Sequence, residues 1–279
     1  MLSYQHEYHA GNHADVLKHG MLAILIRALQ RKPAPIRILD SHAGSGLYDL
    51  DAPTAQHGRE HERGIAPVLA RAAAAPAALA PYLDTITRLN PGGRLRRYPG
   101  SARLAFELLR EQDELELFEL HPQASAALRA ELGREPKVHI HRRDGLEGLV
   151  AVLPPRERRG IALVDPSYER KGEFDDVTST IAAAYKRWAG GVYLVWYPLI
   201  PNPAAARFAE RGLRRLALPA LYRVELTVAA PDSRGLRGSG LLIVNLPHRV
   251  DAELNALLPW LHAALAPRGL GGWRAEPVG

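Results

Sequence analysis

An α/β fold built on a mostly parallel, doubly wound sheet is what this sequence predicts, and three observations predict it. Short all-apolar runs end in acidic residues, most clearly Gly160-Ile161-Ala162-Leu163-Val164-Asp165, the pattern of a strand buried on both faces. A second run, Ile36 to Leu39, opens into a glycine loop, Asp40-Ser41-His42-Ala43-Gly44-Ser45-Gly46. Strand and helix patterns then alternate until the last third. There two strand patterns, Leu221 to Ala229 and Gly240 to Asn245, follow each other across the polar loop Pro231 to Ser239, so the sheet is expected to end in an antiparallel hairpin.

The remaining elements follow in order. The polar opening, with His6, His9 and His13, leads into apolar positions Val16, Leu17, Ile24, Leu25 and Leu29, which fit a helix from about Ala14 to Lys32, before Pro33. His9 and His13 stand four apart, a spacing zinc could use, yet no cysteine and no obvious fourth ligand accompany them, and no metal is expected. The glycine loop lacks the third glycine or alanine of a dinucleotide fingerprint, because Asp49 stands there. A compact βαβ unit would bring the next acidic strand end about 20 residues after the loop. The best candidate, Leu115 to Leu120 with Glu119 at its end, comes much later. An insertion is therefore expected, with residues 1–49 and 101–279 as the main domain and 50–100 as a small helical subdomain ending in a basic turn, Arg94 to Ser101. A helix from Pro122 to Leu132 and a short strand, Val138 to His141, lead to Asp144-Gly145. Beyond the Asp165 strand the patterns give a helix from Asp175 to Trp188, a buried strand from Gly191 to Pro198, a helix near Pro203 to Glu210, a last helix from Asp251 to Leu265 and a loose tail.

Composition narrows the function classes. At 47% hydrophobic and 24% charged, the chain is ordinary globular material. With no cysteine, disulfides and thiolate metal sites are excluded. No run approaches the ~20 apolar residues of a membrane span, and no signal-peptide pattern opens the chain, so a cytoplasmic protein is expected. The net charge of +6 favours a polyanionic partner. Basic clusters occur at Arg94, Arg96 and Arg97, at Arg142 and Arg143, at Arg156, Arg158 and Arg159, and at Arg214 and Arg215; taken singly, each reads as a solvated face.

The acidic strand ends carry the chemistry. Ligands of open α/β sheets sit at the carboxyl ends of strands. Asp165-Pro166-Ser167-Tyr168 resembles the (Asn/Asp/Ser)-Pro-Pro-(Tyr/Phe/Trp) motif of amino-methyltransferases, which methylate exocyclic nitrogens using S-adenosylmethionine. An adenine N6 amine is a poor nucleophile because its lone pair is delocalised into the ring. Asp165 and the Pro166 carbonyl, accepting its two protons, would free that lone pair. Tyr168 offers a face for the extruded base, and such stacking contributes roughly 1–3 kcal/mol. Ser167 departs from the motif, which usually has a second proline there. The glycine loop after Asp40 is similar to the first motif of Rossmann-like methyltransferases. Glu119 suits the ribose hydroxyls of a cofactor, and Asp144 its adenine amine.

Several further stretches extend the resemblance nearly end to end. Leu2-Ser3-Tyr4 with His9 through His19, Tyr98-Pro99-Gly100-Ser101, Glu119-Leu120-His121-Pro122, Trp196-Tyr197-Pro198 and Leu258-Pro259-Trp260-Leu261-His262 are similar to the bacterial 23S ribosomal RNA adenine-N6 methyltransferases of the RlmJ type. The resemblance implies a Rossmann-like S-adenosylmethionine-dependent methyltransferase fold with the inserted helical subdomain, acting on one adenine of 23S ribosomal RNA. It places cofactor contacts on His19, His42, Ser101, Glu119, Asp144 and Gly145. Asp165 becomes the catalytic acceptor, Pro166 and Tyr168 contact the substrate, and Tyr4 gates or contacts the RNA base. A monomer is expected. The competing functions are a DNA adenine-N6 methyltransferase with the same site and a catalytically silent RNA-binding protein of the same fold.

Overall fold

The computed structural model describes residues 6–266 and 269–278. Tyr4 lies outside the described residues. Helix α1 (His13–Gln30) precedes the first strand, β1 (Arg37–Asp40). Its start is fixed by Asn12, whose Oδ1 accepts from the N–H groups of Ala14 (2.9 Å) and Asp15 (3.0 Å). His9 precedes the helix, so His9 and His13 do not share a helix face. Almost every residue of α1 is buried, the charged Asp15 and Lys18 included, because the helix has protein on both sides.

One of those sides is the segment 50–100. After β2 (Leu47–Asp49) come short helices α2 (Pro53–Gly58), α3 (Ile65–Leu69) and α4 (Ala80–Leu89), separated by 3-10 turns. The expected basic turn is in part a strand, β3 (Arg97–Pro99), which pairs antiparallel with β2 so that Leu47 faces Pro99. Ile65, Val68, Leu79, Tyr82 and Ile86 of this segment join Met21, Leu22 and Leu25 of α1 in one hydrophobic core.

The alternating unit follows: α5 (Ser101–Leu108), β4 (Glu114–Phe118), α6 (Pro122–Leu132), β5 (Val138–His141), α7 (Gly145–Val152), β6 (Gly160–Val164), α8 (Glu173–Arg187) and β7 (Val192–Leu199). Helix α7 was not legible beforehand; Asp144 is its N-cap, accepting from Leu146 (2.9 Å) and Glu147 (3.1 Å). The chain closes with α9 (Pro203–Arg211), the hairpin β8 (Leu221–Thr227) and β9 (Gly238–Val244), α10 (Val250–Leu265) and β10 (Gly272–Pro277). The expected loose tail is thus an edge strand, paired antiparallel with β8 from Gly272 opposite Thr227 to Pro277 opposite Tyr222.

The main sheet has the order β10-β8-β9-β7-β6-β1-β4-β5, parallel from β5 to β7 and antiparallel beyond. Alternate residues of each central strand feed opposite cores. Ile38, Ile161 and Leu163 face α1, α5 and α10, while Leu39, Ala162 and Val164 face α7, α8 and α9. Register places the acids. Asp40 pairs with both Leu117 and Leu163, so Glu119 and Asp165 each emerge two residues past the same level. Phe118 pairs with His141, which brings Asp144 to that edge as well.

Candidate active site

A cavity of about 800 Å³ opens at this edge. Its wall includes His19, His42, Ser101, Glu119, Asp144, Gly145, Asp165, Pro166 and Tyr168, every site residue named above except Tyr4. This volume is in the upper part of the ~300–1,000 Å³ range of small-molecule pockets, with room for more than one ligand.

One end is built by the glycine loop and the second strand end. Gly44 (φ +61°) and Gly46 (φ +81°) take left-handed backbone that only glycine adopts without strain. This lets the Gly44 N–H donate to Glu119 Oε2 at 2.9 Å, while the His121 N–H donates to Oε1 at 2.7 Å. Burial raises the Glu119 carboxyl above its ordinary value, with those two donors pulling the other way. Gly145 begins α7 directly against the glycine loop; a Cβ there would sit 1.6 Å from the Ser41 carbonyl oxygen. Burial pushes His42 down to about 4, so its ring is neutral at pH 7, sharing a 2.7 Å hydrogen bond through Nδ1 with the Ser41 hydroxyl. Ser101 opens α5, beside the buried Asp40. The His42 N–H donates to Asp40 Oδ1 at 3.1 Å, and burial pushes this carboxyl up to about 6, with Ser101 and the His42 N–H opposing.

The centre is organised by α1. Lys18 Nζ donates to Asp15 Oδ1 at 3.0 Å and also to Asp165 Oδ2. Against burial, which lowers it, the two carboxylates raise the lysine above its ordinary value and keep it charged. Burial raises the Asp165 carboxyl, with Lys18 opposing. Asp15 is desolvated too, yet His6 and Lys18 hold it well below the usual carboxylate range. One turn on, His19 is buried and pushed down to about 3 by desolvation; its Nδ1 lies 2.8 Å from the Tyr98 hydroxyl, which is 2.9 Å from that of Tyr82. His9 and Asn12 both bind Glu60 at 2.9 Å. Among the described residues, no group of three or more His, Cys, Asp or Glu side chains is placed to hold a metal ion.

The turn after Asp165 lacks the second proline but has two tethers. The Tyr168 hydroxyl donates to the Trp196 carbonyl at 2.6 Å, and its ring stacks on Phe174 at 4.2 Å and 23°. Tyr168 itself is held at φ +55°, a strained conformation of the kind found at functional sites. Trp196 and Phe208 also lie near the ring, at 5.9 and 6.0 Å between centroids. The residues that motif reasoning did not assign are Lys18, Asp15 and Trp196, whose ring centroid is 5.9 Å from Lys18 Nζ. The available signal was two charges, Asp15 and Lys18, beside the apolar positions Val16, Leu17 and Leu22 of one helix.

The sheet order, with the antiparallel hairpin after β7 and the acids at the carboxyl ends of β1, β4 and β6, defines a Rossmann-like fold of the S-adenosylmethionine-dependent methyltransferase class. The family model described as "Ribosomal RNA large subunit methyltransferase D, RlmJ" matches residues 33–278, and the chain belongs to that family. It is 42% identical to a ribosomal RNA large subunit methyltransferase J of Escherichia coli, over 97% of this chain and 96% of that one. It is 39% identical to the protein of the same name from Haemophilus influenzae, over 99% and 98%. A crystal structure from Legionella pneumophila, 35% identical, superposes with a TM-score of 0.88 over 97% of this chain and 98% of that one.

Proposed function

We propose that this protein methylates the N6 amine of a specific adenine in 23S ribosomal RNA, with S-adenosylmethionine as donor. The observation that carries the reading is the Asp165-Pro166 acceptor pair at the end of β6, opening into the same cavity as Glu119 and Asp144. The donor set suits the cofactor. Glu119 accepts from two backbone N–H groups and still presents carboxylate lone pairs for a ribose diol. Asp144 is a second acceptor, for the adenine amine, and neutral His42 adds a polar contact without a repelling charge. Gly145 lets α7 approach the loop closely, and Ser101 at the start of α5 serves the amino-acid end. His19 lines the same wall. When bound, the cofactor supplies an electrophilic methyl group on sulfur.

Asp165 and the Pro166 carbonyl accept the two amine protons and hold the nitrogen in line, a contribution of positioning and preorganised electrostatics. Tyr168 stacks on the base and Tyr4 gates or contacts it. Residues 1–49 and 101–279 act as the catalytic domain, and 50–100 as an inserted unit that roofs α1. The protein works as a cytoplasmic monomer on large-subunit RNA.

The test supplies labelled S-adenosylmethionine with protein-free, unmodified large-subunit RNA, beside duplex DNA. Label at adenine N6 of the RNA is expected, and Asp165→Ala should lower it about 100-fold or more while cofactor affinity stays within about twofold. Label on DNA alone would mark a DNA adenine methyltransferase. RNA binding with no transfer would mark a silent RNA-binding protein, and equal loss of transfer and cofactor affinity in the variant would remove Asp165 from its role.

A further inference from the structure

Besides the acids, the cavity wall includes an apolar set, the annex, of Pro198, Ile200, Val228, Leu236 and Leu265. Three of these belong to the segments after β7 and β8, latched together by backbone bonds. The Arg237 N–H donates to the Leu199 carbonyl and the Val228 N–H to the Arg237 carbonyl, both at 2.9 Å. At the cavity wall stands Arg63, exposed, on the 3-10 turn Glu60–Arg63 of the insert. Its nearest carboxylates in sequence are committed elsewhere: Glu60 to His9 and Asn12, Glu62 to Arg59. Among the described residues Arg63 has no hydrogen bond or ion pair, and neither has Arg234, exposed two residues before Leu236. Several other arginines are neutralised, as Arg31 is by Glu253, Arg94 and Arg96 by Asp51, Arg103 by Glu107 and Arg215 by Asp175; among the described residues the exposed Arg142, Arg143, Arg156 and Arg207 also lack a side-chain partner, and what sets Arg63 apart is its place at the cavity wall.

We propose that the annex is the path of the RNA strand next to the methylated adenine, with Arg63 and Arg234 each binding a backbone phosphate and the apolar wall taking the neighbouring base. The inference depends on the RNA methylation proposed above. A base expelled from its stack drags its flanking phosphates to the pocket mouth, and a single strand is held by cationic side chains along the backbone with apolar contact to bases. An unneutralised guanidinium at the cavity wall suits that partner.

The experiment measures affinity for an unmodified RNA hairpin carrying the target adenine, across a salt series, for wild type, Arg63→Gln, Arg234→Gln and the double variant. Lys186→Gln serves as the control, since Lys186 lies in the last turn of α8, at the opposite end of the sheet. Each single variant should bind about tenfold more weakly near 0.1 M salt and lower the salt slope by about one. The double variant should lower it by about two. Cofactor affinity should be unchanged, and Arg63→Lys should retain most of the slope. Wild-type affinity and slope in both single variants, with wild type still methylating RNA, overturns this inference alone. Wild type that neither binds nor methylates the RNA overturns the parent reading. Loss of cofactor affinity in Arg63→Gln would assign Arg63 to the cofactor and overturn its phosphate role.

Discussion

Lys18 holds two carboxylates at once, and its distant partner Asp165 is 147 positions along the chain. That separation explains what could be read in advance at this scale. Asp165 was legible because a strand pattern ran straight into Asp-Pro. Lys18 was visible as a charge beside apolar positions of a helix, but nothing local says which carboxylate meets it. The same holds for Tyr168: its motif position was readable, while the tether to Trp196 that secures a turn containing Ser167 was not. Removing the ammonium leaves two buried carboxylates facing each other. Lys18→Met is therefore expected to destabilise the protein by about 3–5 kcal/mol, read from urea unfolding at pH 7. A change below about 1 kcal/mol would mean that the pair is solvated in solution.

Among the elements, those with a strong period were placed to within a few residues: β6, α6 and β5 run over the expected residues. The misses are elements whose cause lies elsewhere in the chain. Strand β10 is held by its pairing with β8, and β3 by its pairing with β2, partners that lie far away in the chain. Helix α7 is capped by the same Asp144 that read as part of a turn dipeptide. Its junction with the glycine loop has no spare volume. Gly145→Ala puts a methyl against the Ser41 carbonyl and should cost about 1–3 kcal/mol as overpacking. It should also weaken S-adenosylmethionine binding about tenfold or more in calorimetry, since the loop and Asp144 move together. Unaltered cofactor affinity in a folded variant would show that this approach is irrelevant to the site.

For the whole molecule, the parallel order could be anticipated from the alternation of patterns, and the acids at one edge follow from register. What could not be anticipated is how deeply the site's histidines are sunk. Burial lowers His13 to about 4, His19 to about 3 and His42 to about 4, from 6.5. Between those values and 6.5 the unfolded chain binds a proton that the folded protein refuses. Stability from each group is complete above pH 6.5 and is lost as pH falls toward 4 and then 3. Each histidine contributes a slope of about 1.4 kcal/mol per pH unit in that window. Asp40, raised to about 6, works in the opposite sense between about 3.8 and 6. Unfolding free energies at pH 5 and pH 7 should thus differ less in His19→Asn than in wild type, by roughly one proton's worth of slope; an identical pH dependence would place His19 in solvent.

The core that α1 shares with the segment 50–100 and with α10 also has a consequence for biosynthesis. Helix α1 is among the first elements made, yet Leu257, Leu258 and Leu261 of α10, which share its core, are among the last. At ~5–20 residues per second, roughly 10–45 s separate the two during translation. Throughout that interval a helix that ends almost wholly buried, carrying Lys18 and still far from Asp165, has only part of its cover. The nascent chain is thereby a natural client for whatever shields hydrophobic segments at the ribosome's exit, and the enzyme is assembled beside the kind of RNA it modifies before it is able to modify it.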